Sequence, residues 1–224
     1  MQKYMDVLSK CPLFQGINTT EINTIIECLK GKSIKVAKGS PVFLEGDSAW
    51  FVGVVLAGAL QVIREDYYGN RSVLAVLQPG EMFAEAFSCA GLEKLPVSAI
   101  ALKDSEVLLL DCRHVMRSCN KACHFHSVLI KNLLQDMAQK NLVLARKIRY
   151  MSEKTIREKL MSYLMDQAKQ QKRAEFTIPY DRQSLADYLG VERSAMSAEI
   201  GKMKRAGLID SHGSWFRVLT PAGE

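Results

Sequence analysis

The sequence predicts an α+β chain, on three observations. Between residues 33 and 111, short β-rich runs alternate with glycine-bearing turns. From 113 to 151 the apolar period becomes helical, with neither Pro nor Gly. After 152, further helical segments lead into a β-hairpin. The first pattern argues for an antiparallel β-roll of the barrel or jelly-roll kind, the second for one long helix, the third for a winged helix-turn-helix. With 224 residues there is room for two modest domains and a connector, placed at 1–112, 113–151 and 152–224.

Composition narrows the class. A chain 48% hydrophobic and 24% charged has enough apolar mass for real cores. No apolar run is long enough to span a bilayer and residues 1–10 lack a signal-peptide pattern, so a cytoplasmic protein without a membrane partner is expected. The formal charge of +6 and a pI near 9.0 suit a polyanionic partner. Six cysteines in such a chain are expected as reduced thiols and not as a disulfide framework.

Taken in order, residues 6–30 read as amphipathic helix interrupted at Pro12, with a second start at Thr19-Thr20-Glu21 before Ile22, Ile25, Ile26 and Leu29. Strands are predicted at 34–36, 42–44, 51–56, 60–64, 73–77, 97–102 and 107–110, and an irregular insertion at 83–94 reads as a short helix plus loop. The turn before it, Pro79-Gly80, leads into a helix start whose free backbone N–H groups suit an effector. There Glu81 would accept from a sugar hydroxyl and Ser98 would donate to one. Equally, Pro79-Gly80 is a plain turn and Glu81 its solvated cap.

Along 113–151, Phe125, Leu129, Leu133, Met137, Leu144, Ile148 and Met151 form a stripe at three- to four-residue steps, broken at Lys140 and Asn141. A helix this long outruns the cover a small domain offers, which predicts a parallel homodimer seam; the rival is a stripe lying along its own barrel, and both hold if they apply at different ends. Cys112, Cys119, Cys123 and His126 crowd the helix start. Cys119, Cys123 and His126 share a face at i, i+4 and i+7, so metal ligation or thiol redox chemistry is geometrically open, against the plainer reading of buried thiols.

In the last third, Ile156, Leu160, Tyr163, Leu164 and Ala168 mark a helix opening at Ser152-Glu153, and 176–178 reads as a short strand ended by Pro179. Residues 180–209 read as two helices joined at Gly190. Leu185, Ala186 and Leu189 line the inner face of the first, and Met196, Ile200 and Met203 that of the second. Between them Glu192, Arg193, Ser194, Ser197, Ala198, Lys202 and Arg205 form an outward, mainly basic face suited to a major groove. Residues 208–211 and 215–219 flank His212-Gly213-Ser214 as the wing.

In this order, and in the strings PGEMFAEA at 79–86, KNLVLARKIRYMSEKTIREKL at 140–160 and FTIPYDRQSLADYLGVERSAMSAEIGKMKRAGLI at 176–209, the chain resembles the CRP/FNR family of bacterial transcription regulators over nearly its whole length. The resemblance implies a homodimer that binds a near-palindromic double-stranded operator through paired recognition helices. It also implies a barrel that senses a small effector, and admits RNA polymerase as a further partner. It names no cofactor. Carried over residue by residue, it places Arg193 and Ser197 where members touch bases and phosphates; on the reading as a whole, Arg182, Gln183, Arg193, Ser194, Ser197 and Lys202 are the expected DNA contacts. In the effector cassette it matches Gly80, Glu81 and Ser98. With the insertion beside them, the expected effector site is Gly80, Glu81, Met82, Phe83, Ala84, Glu85, Val97 and Ser98.

Three departures matter. Ser194 stands where many members carry a base-reading glutamate, and Ala198 where a base-reading arginine is common; a methyl can only touch a thymine methyl, so the operator preference is expected to differ. Val97 replaces the arginine that pairs with a cyclic phosphate, so the effector is expected not to be cyclic AMP. Only Cys11 precedes Cys28, which argues against the N-terminal iron–sulfur arrangement of the oxygen-sensing branch. No serine, cysteine, histidine and carboxylate set forms a defensible triad, so no enzyme is expected. Two alternatives remain: a metal- or thiol-based redox sensor on the same scaffold, using Cys112, Cys119, Cys123 and His126, and a ligand-binding or scaffold protein that has lost DNA binding.

Overall fold

The computed structural model describes residues 1–65, 67–68, 71–115 and 124–219, with only the backbone of His124. The chain divides into two compact units, 1–138 and 139–224.

The first unit opens on helices α1 (Met5–Lys10) and α2 (Thr19–Cys28), separated by a 3₁₀ turn at Pro12–Phe14. Asn18 starts α2: its Oδ1 accepts from the Glu21 N–H at 2.9 Å while the Glu21 carboxylate accepts from the Asn18 N–H at 3.0 Å. Two antiparallel four-stranded sheets follow. One has the order β1 (Lys32–Val36), β8 (Ser105–Asp111), β3 (Phe51–Ala57), β6 (Met82–Phe83). The other runs β2 (Pro41–Phe43), β7 (Ser98–Ala101), β4 (Leu60–Glu65), β5 (Arg71–Leu77). All seven predicted strands are present, and β6 is an addition too short to leave a periodic signal.

Strand β3 explains how the layers stack. Val52, Val54 and Leu56 face a core shared with α1 and α2, whereas Phe51 and Val55 face a second core with Phe43, Leu60, Phe83 and Val107. Successive side chains point to opposite faces, so a strand covered on both sides reads as one apolar run, FVGVVLA. Gly53 interrupts that run because the Phe83 ring lies where its side chain would be: a Cβ there would fall 2.1 Å from the ring.

Predicted as one helix over 113–151, the connector is observed as α4 (Cys112–Val115) and α5 (His124–Ser152); residues 116–123, with Cys119 and Cys123, lie outside the described residues. The α5 stripe has two fates. Leu129 and Leu133 are buried in the first unit, with Phe125 and Met137 packed beside them, as the reading along its own barrel expects. Leu144, Ile148 and Met151 are instead 59%, 67% and 45% exposed. Lys140 and Asn141, which break the stripe, fall just past the boundary between the units. Buried Asn132 fastens the front half, its amide donating to the Leu13 and Gln15 carbonyls at 3.0 and 2.8 Å.

In the second unit the next helix begins later than Ser152. Thr155 caps α6 (Ile156–Gln171) in a capping box with Glu158, because its hydroxyl can accept from the Glu158 N–H at 3.2 Å. Then come β9 (Glu175–Thr177), α7 (Arg182–Leu189), α8 (Arg193–Arg205), β10 (Ile209–His212) and β11 (Trp215–Val218), with a three-stranded sheet ordered β10-β11-β9. Tyr150 at the end of α5 is buried against Tyr163 of α6 at 5.6 Å between ring centroids, and Tyr163 meets Tyr188 of α7 at 5.7 Å. The Tyr150 hydroxyl donates to Asp166 at 2.7 Å, and burial is the first cause pushing its pKa up to about 12.

Replacing Asn132 with Ala leaves the Leu13 and Gln15 carbonyls without their side-chain donor. We expect a loss of about 1–3 kcal/mol, read as a lower urea midpoint of the full-length protein.

Candidate nucleic-acid interface and effector cassette

The recognition pair is built from its turn outward. Gly190 ends α7 at φ 63° and ψ 48°, a left-handed conformation that costs a residue with Cβ. Its N–H donates to the Asp187 carbonyl at 3.3 Å and the Val191 N–H to the Ala186 carbonyl at 3.0 Å, closing the helix end. Leu185, Ala186, Leu189, Met196, Ile200 and Met203 are all buried in one core, as their spacing requires.

Glu192 caps α8. Its carboxylate accepts from the Ser194 and Ala195 N–H groups at 2.8 and 2.7 Å and from the Ser194 hydroxyl. The Ser194 hydroxyl bond is the first cause holding its pKa down to about 2, followed by those two backbone bonds. The sequence places Glu192 on the outward face; the structure adds that its charge is directed at the helix N-terminus, where the backbone dipole favours an anion.

Arg193, Ser194, Ser197, Ala198, Lys202 and Arg205 are exposed along α8. Arg193 is near enough to help keep the Asp181 carboxylate ionised, after the stronger effect of the Ser184 hydrogen bonds. Lys202 meets Glu199 at 3.3 Å, and Glu199 also takes Arg157 of α6 at 2.8 Å. Gln183 is exposed, with its amide donating to Asp187 at 2.9 Å.

Arg182, expected as a DNA contact, is engaged within the second unit. Its guanidinium lies 4.8 Å from the Phe216 ring centroid and donates to the Ser211 hydroxyl at 3.3 Å. Half-buried there, it ties α7 to the wing instead of projecting from the surface. Lys204 does the same for α8, donating to the Ser211 carbonyl at 2.8 Å and meeting Asp210 at 3.1 Å. Period alone could not reveal either partner, because both lie on strands that only the folded wing brings near.

In the first unit the effector cassette is assembled on β3. The Gly80 N–H donates to the Val55 carbonyl at 2.8 Å, and the Val55 N–H to the Glu81 carbonyl at 3.0 Å. The Glu81 carboxylate accepts from the Gln78 N–H at 2.6 Å, so it caps its own turn, the plainer of the two sequence readings. The Ser98 hydroxyl accepts from the Glu45 N–H at 2.9 Å. Ala84 takes φ 63° and Glu85, buried, starts the short helix α3 (Glu85–Cys89).

Met82 and Phe83 cannot line one pocket together. Pleating sends Met82 into the helical core and Phe83 into the inter-sheet core, where its ring lies 6.0 and 6.2 Å from those of Phe43 and Phe51. Val97 is buried in that same apolar core and offers a ligand phosphate no donor.

Of the candidate metal ligands, Cys119 and Cys123 lie outside the described residues; among the described residues no group of three His, Cys, Asp or Glu could hold an ion. His126 is buried on α5 and Cys112 is buried at the start of α4.

Comparison with known proteins agrees with this layout. A family model described as a cyclic nucleotide-binding domain matches residues 33–121, and one described as a Crp-like helix-turn-helix domain matches residues 158–223. Over 99 residues, 44% of either chain, the sequence is 30% identical to the cyclic AMP receptor protein of Thermus thermophilus. It is 24% identical to the transcriptional activator protein FnrA of Stutzerimonas stutzeri, over 93% of this chain and 84% of that one. Among solved structures, OCPA-complexed CprK shares the fold with a TM-score of 0.63 at 16% identity, covering 89% of each chain.

Glu192 yields a pH signature. Its folded pKa of about 2 lies below the ordinary 4.5, so its contribution to stability is complete above about pH 4.5 and is lost as the pH falls towards 2. The advantage of the natural protein over Glu192→Gln in urea midpoint is therefore expected to shrink across that window. A constant difference at every pH rules the cap out as its source.

Proposed function

Because the chain belongs to the CRP/FNR family of transcription regulators, we propose that it acts as a homodimer on a near-palindromic operator, reading bases with α8 in the major groove. Its effector-sensing domain and its helix-turn-helix domain are those of the family. The observation that carries the finer reading is the division of α8. Met196, Ile200 and Met203 are buried, leaving Arg193, Ser197, Ala198 and Lys202 along the open side. Arg193 supplies the bidentate donor that suits a guanine edge, Ser197 a phosphate or base contact, and Ala198 only a methyl. Gln183 contributes from α7, and Ser194 contributes through its place in the α8 cap. The reading involves no catalytic step, and a cytoplasmic location goes with it.

Leu142, Val143, Leu144 and Ile148, all exposed on the back half of α5, support a seam with a second copy. Apolar side chains in a row on a long helix are stabilised when a partner helix removes them from water. The effector site we assign to the turn and helix start at Gly80, Glu81, Ala84 and Glu85, with Ser98 nearby. Occupancy would change the population of DNA-competent dimers through differential affinity for the two states. RNA polymerase is a further partner on this reading.

The effector is not cyclic AMP on this reading, because apolar Val97 stands where a cyclic phosphate needs a charged fork.

Arg193→Ala is expected to cost about 1–3 kcal/mol of operator affinity and to relax the preference at one base pair. Fluorescence anisotropy at fixed salt measures both, and unchanged affinity and preference remove Arg193 from the readout. Leu144→Glu combined with Ile148→Glu should convert a dimer to a monomer in light scattering; a natural protein that is already monomeric sinks the seam. Calorimetry with cyclic AMP should show no saturable heat, and tight binding would overturn the assignment drawn from Val97.

A further inference from the structure

One pair of reactive side chains belongs to neither the recognition face nor the effector contacts. Cys89 ends α3 and Cys112 begins α4, and the fold sets their sulfurs 3.9 Å apart. Both are free thiols. A disulfide bond is about 2.05 Å long, so closure asks the sulfurs to approach by about 1.9 Å. Rotation of two side chains on short helices can supply much of that: α3 has five residues and α4 four.

The two thiols differ in what reaches them. Cys112 is buried, with its N–H donating to the Trp50 carbonyl at 2.9 Å. Cys89 is half-buried and meets solvent. A cleft bordered by Trp50, Ser88, Glu93, Cys112 and Arg113 opens on the Cys112 side of the pair. The sulfurs lie within hydrogen-bonding distance, and either can be the donor. Cys89 is the more exposed thiol and thus the one an oxidant reaches first.

We propose that Cys89 and Cys112 form a reversible intrachain disulfide on exposure to a hydroperoxide, pinning the end of α3 to the start of α4. In the first step the Cys89 thiolate attacks the peroxide O–O bond, giving a sulfenic acid and, after protonation, one water or alcohol. In the second, the Cys112 sulfur displaces hydroxide from that sulfenic acid, the S–S bond forms, and its proton leaves with the hydroxide as water. Two thiols have then lost two electrons and two protons to the peroxide. A dithiol reductant reverses the change by exchange through a mixed disulfide. Because α3 starts at Glu85, the bond would restrain the cassette from its far end.

Two sulfurs this far apart also match opposite arms of a tetrahedral thiolate-bound metal, roughly 3.8 Å from arms of about 2.3 Å. Since no third ligand accompanies them among the described residues, the disulfide is the chemistry the pair completes by itself.

The test uses the reduced full-length protein, treated with equimolar hydrogen peroxide, alkylated and mapped without reduction. The expected result is loss of two of the six thiols, a Cys89–Cys112 crosslinked peptide, and full recovery with dithiothreitol. Cys112→Ser should leave Cys89 as a dimedone-reactive sulfenic acid, and Cys89→Ser should leave Cys112 reduced. Amide exchange across 85–91 should slow several-fold in the oxidised protein. Cys89 or Cys112 joined instead to Cys119 or Cys123 overturns the proposal, as does stoichiometric zinc or iron released on alkylating the pair. So does survival of both thiols. Unchanged exchange across 85–91 removes the pinning. None of these readouts depends on DNA binding.

Discussion

The organising constraint is the length of α5. Twenty-nine residues make a helix roughly 44 Å long, and its apolar stripe is buried only in its front half. Leu129, Asn132 and Leu133 are enclosed by the first unit, and Tyr150 by the second. Between them Leu142, Val143, Leu144 and Ile148 keep contact with water. Apolar surface of that extent on a helix is costly in isolation, and that cost is the physical ground for the proposed seam with a second copy. The break at Lys140 and Asn141 marks where one unit's cover stops.

Within the first unit, double-sided burial of β3 has the next largest consequence. Because both faces are covered, each residue that pairs with β3 is committed to one core or the other. Met82 and Phe83 divide accordingly, and the close approach of the Phe83 ring requires glycine at position 53. The polar atoms of the cassette are likewise engaged locally, Glu81 on its own turn and Ser98 on the Glu45 amide. An effector bound there, as proposed, would compete with existing hydrogen bonds instead of meeting vacant groups, which would couple its binding to a rearrangement of the turn.

The second unit separates holding from reading. Arg182 and Lys204 stabilise the wing against the helix pair, and Glu192 neutralises the helix start. Fixing the wing and the cap this way leaves Arg193, Ser197 and Ala198 exposed on a helix whose other side is packed. The basic residues of this stretch are therefore not equivalent, although the sequence shows them alike.

By itself the sequence determined the order of the elements, seven of the barrel strands, the two recognition helices with their inner faces, and the wing. Each rests on a local cause: period two or 3.6, a glycine at a left-handed turn, a capping residue before an apolar run. The resemblance carried by 79–86, 140–160 and 176–209 pointed to the family for the same reason, since those strings are contiguous. Only the tertiary structure decided what long-range proximity sets. It turned Arg182 towards Phe216, sent Met82 and Phe83 to different cores, shared the α5 stripe between cover and exposure, and brought Cys89 beside Cys112 from 23 positions away. Such pairings leave no periodic trace along the chain, because the residues meet through packing of separate elements and not through spacing within one.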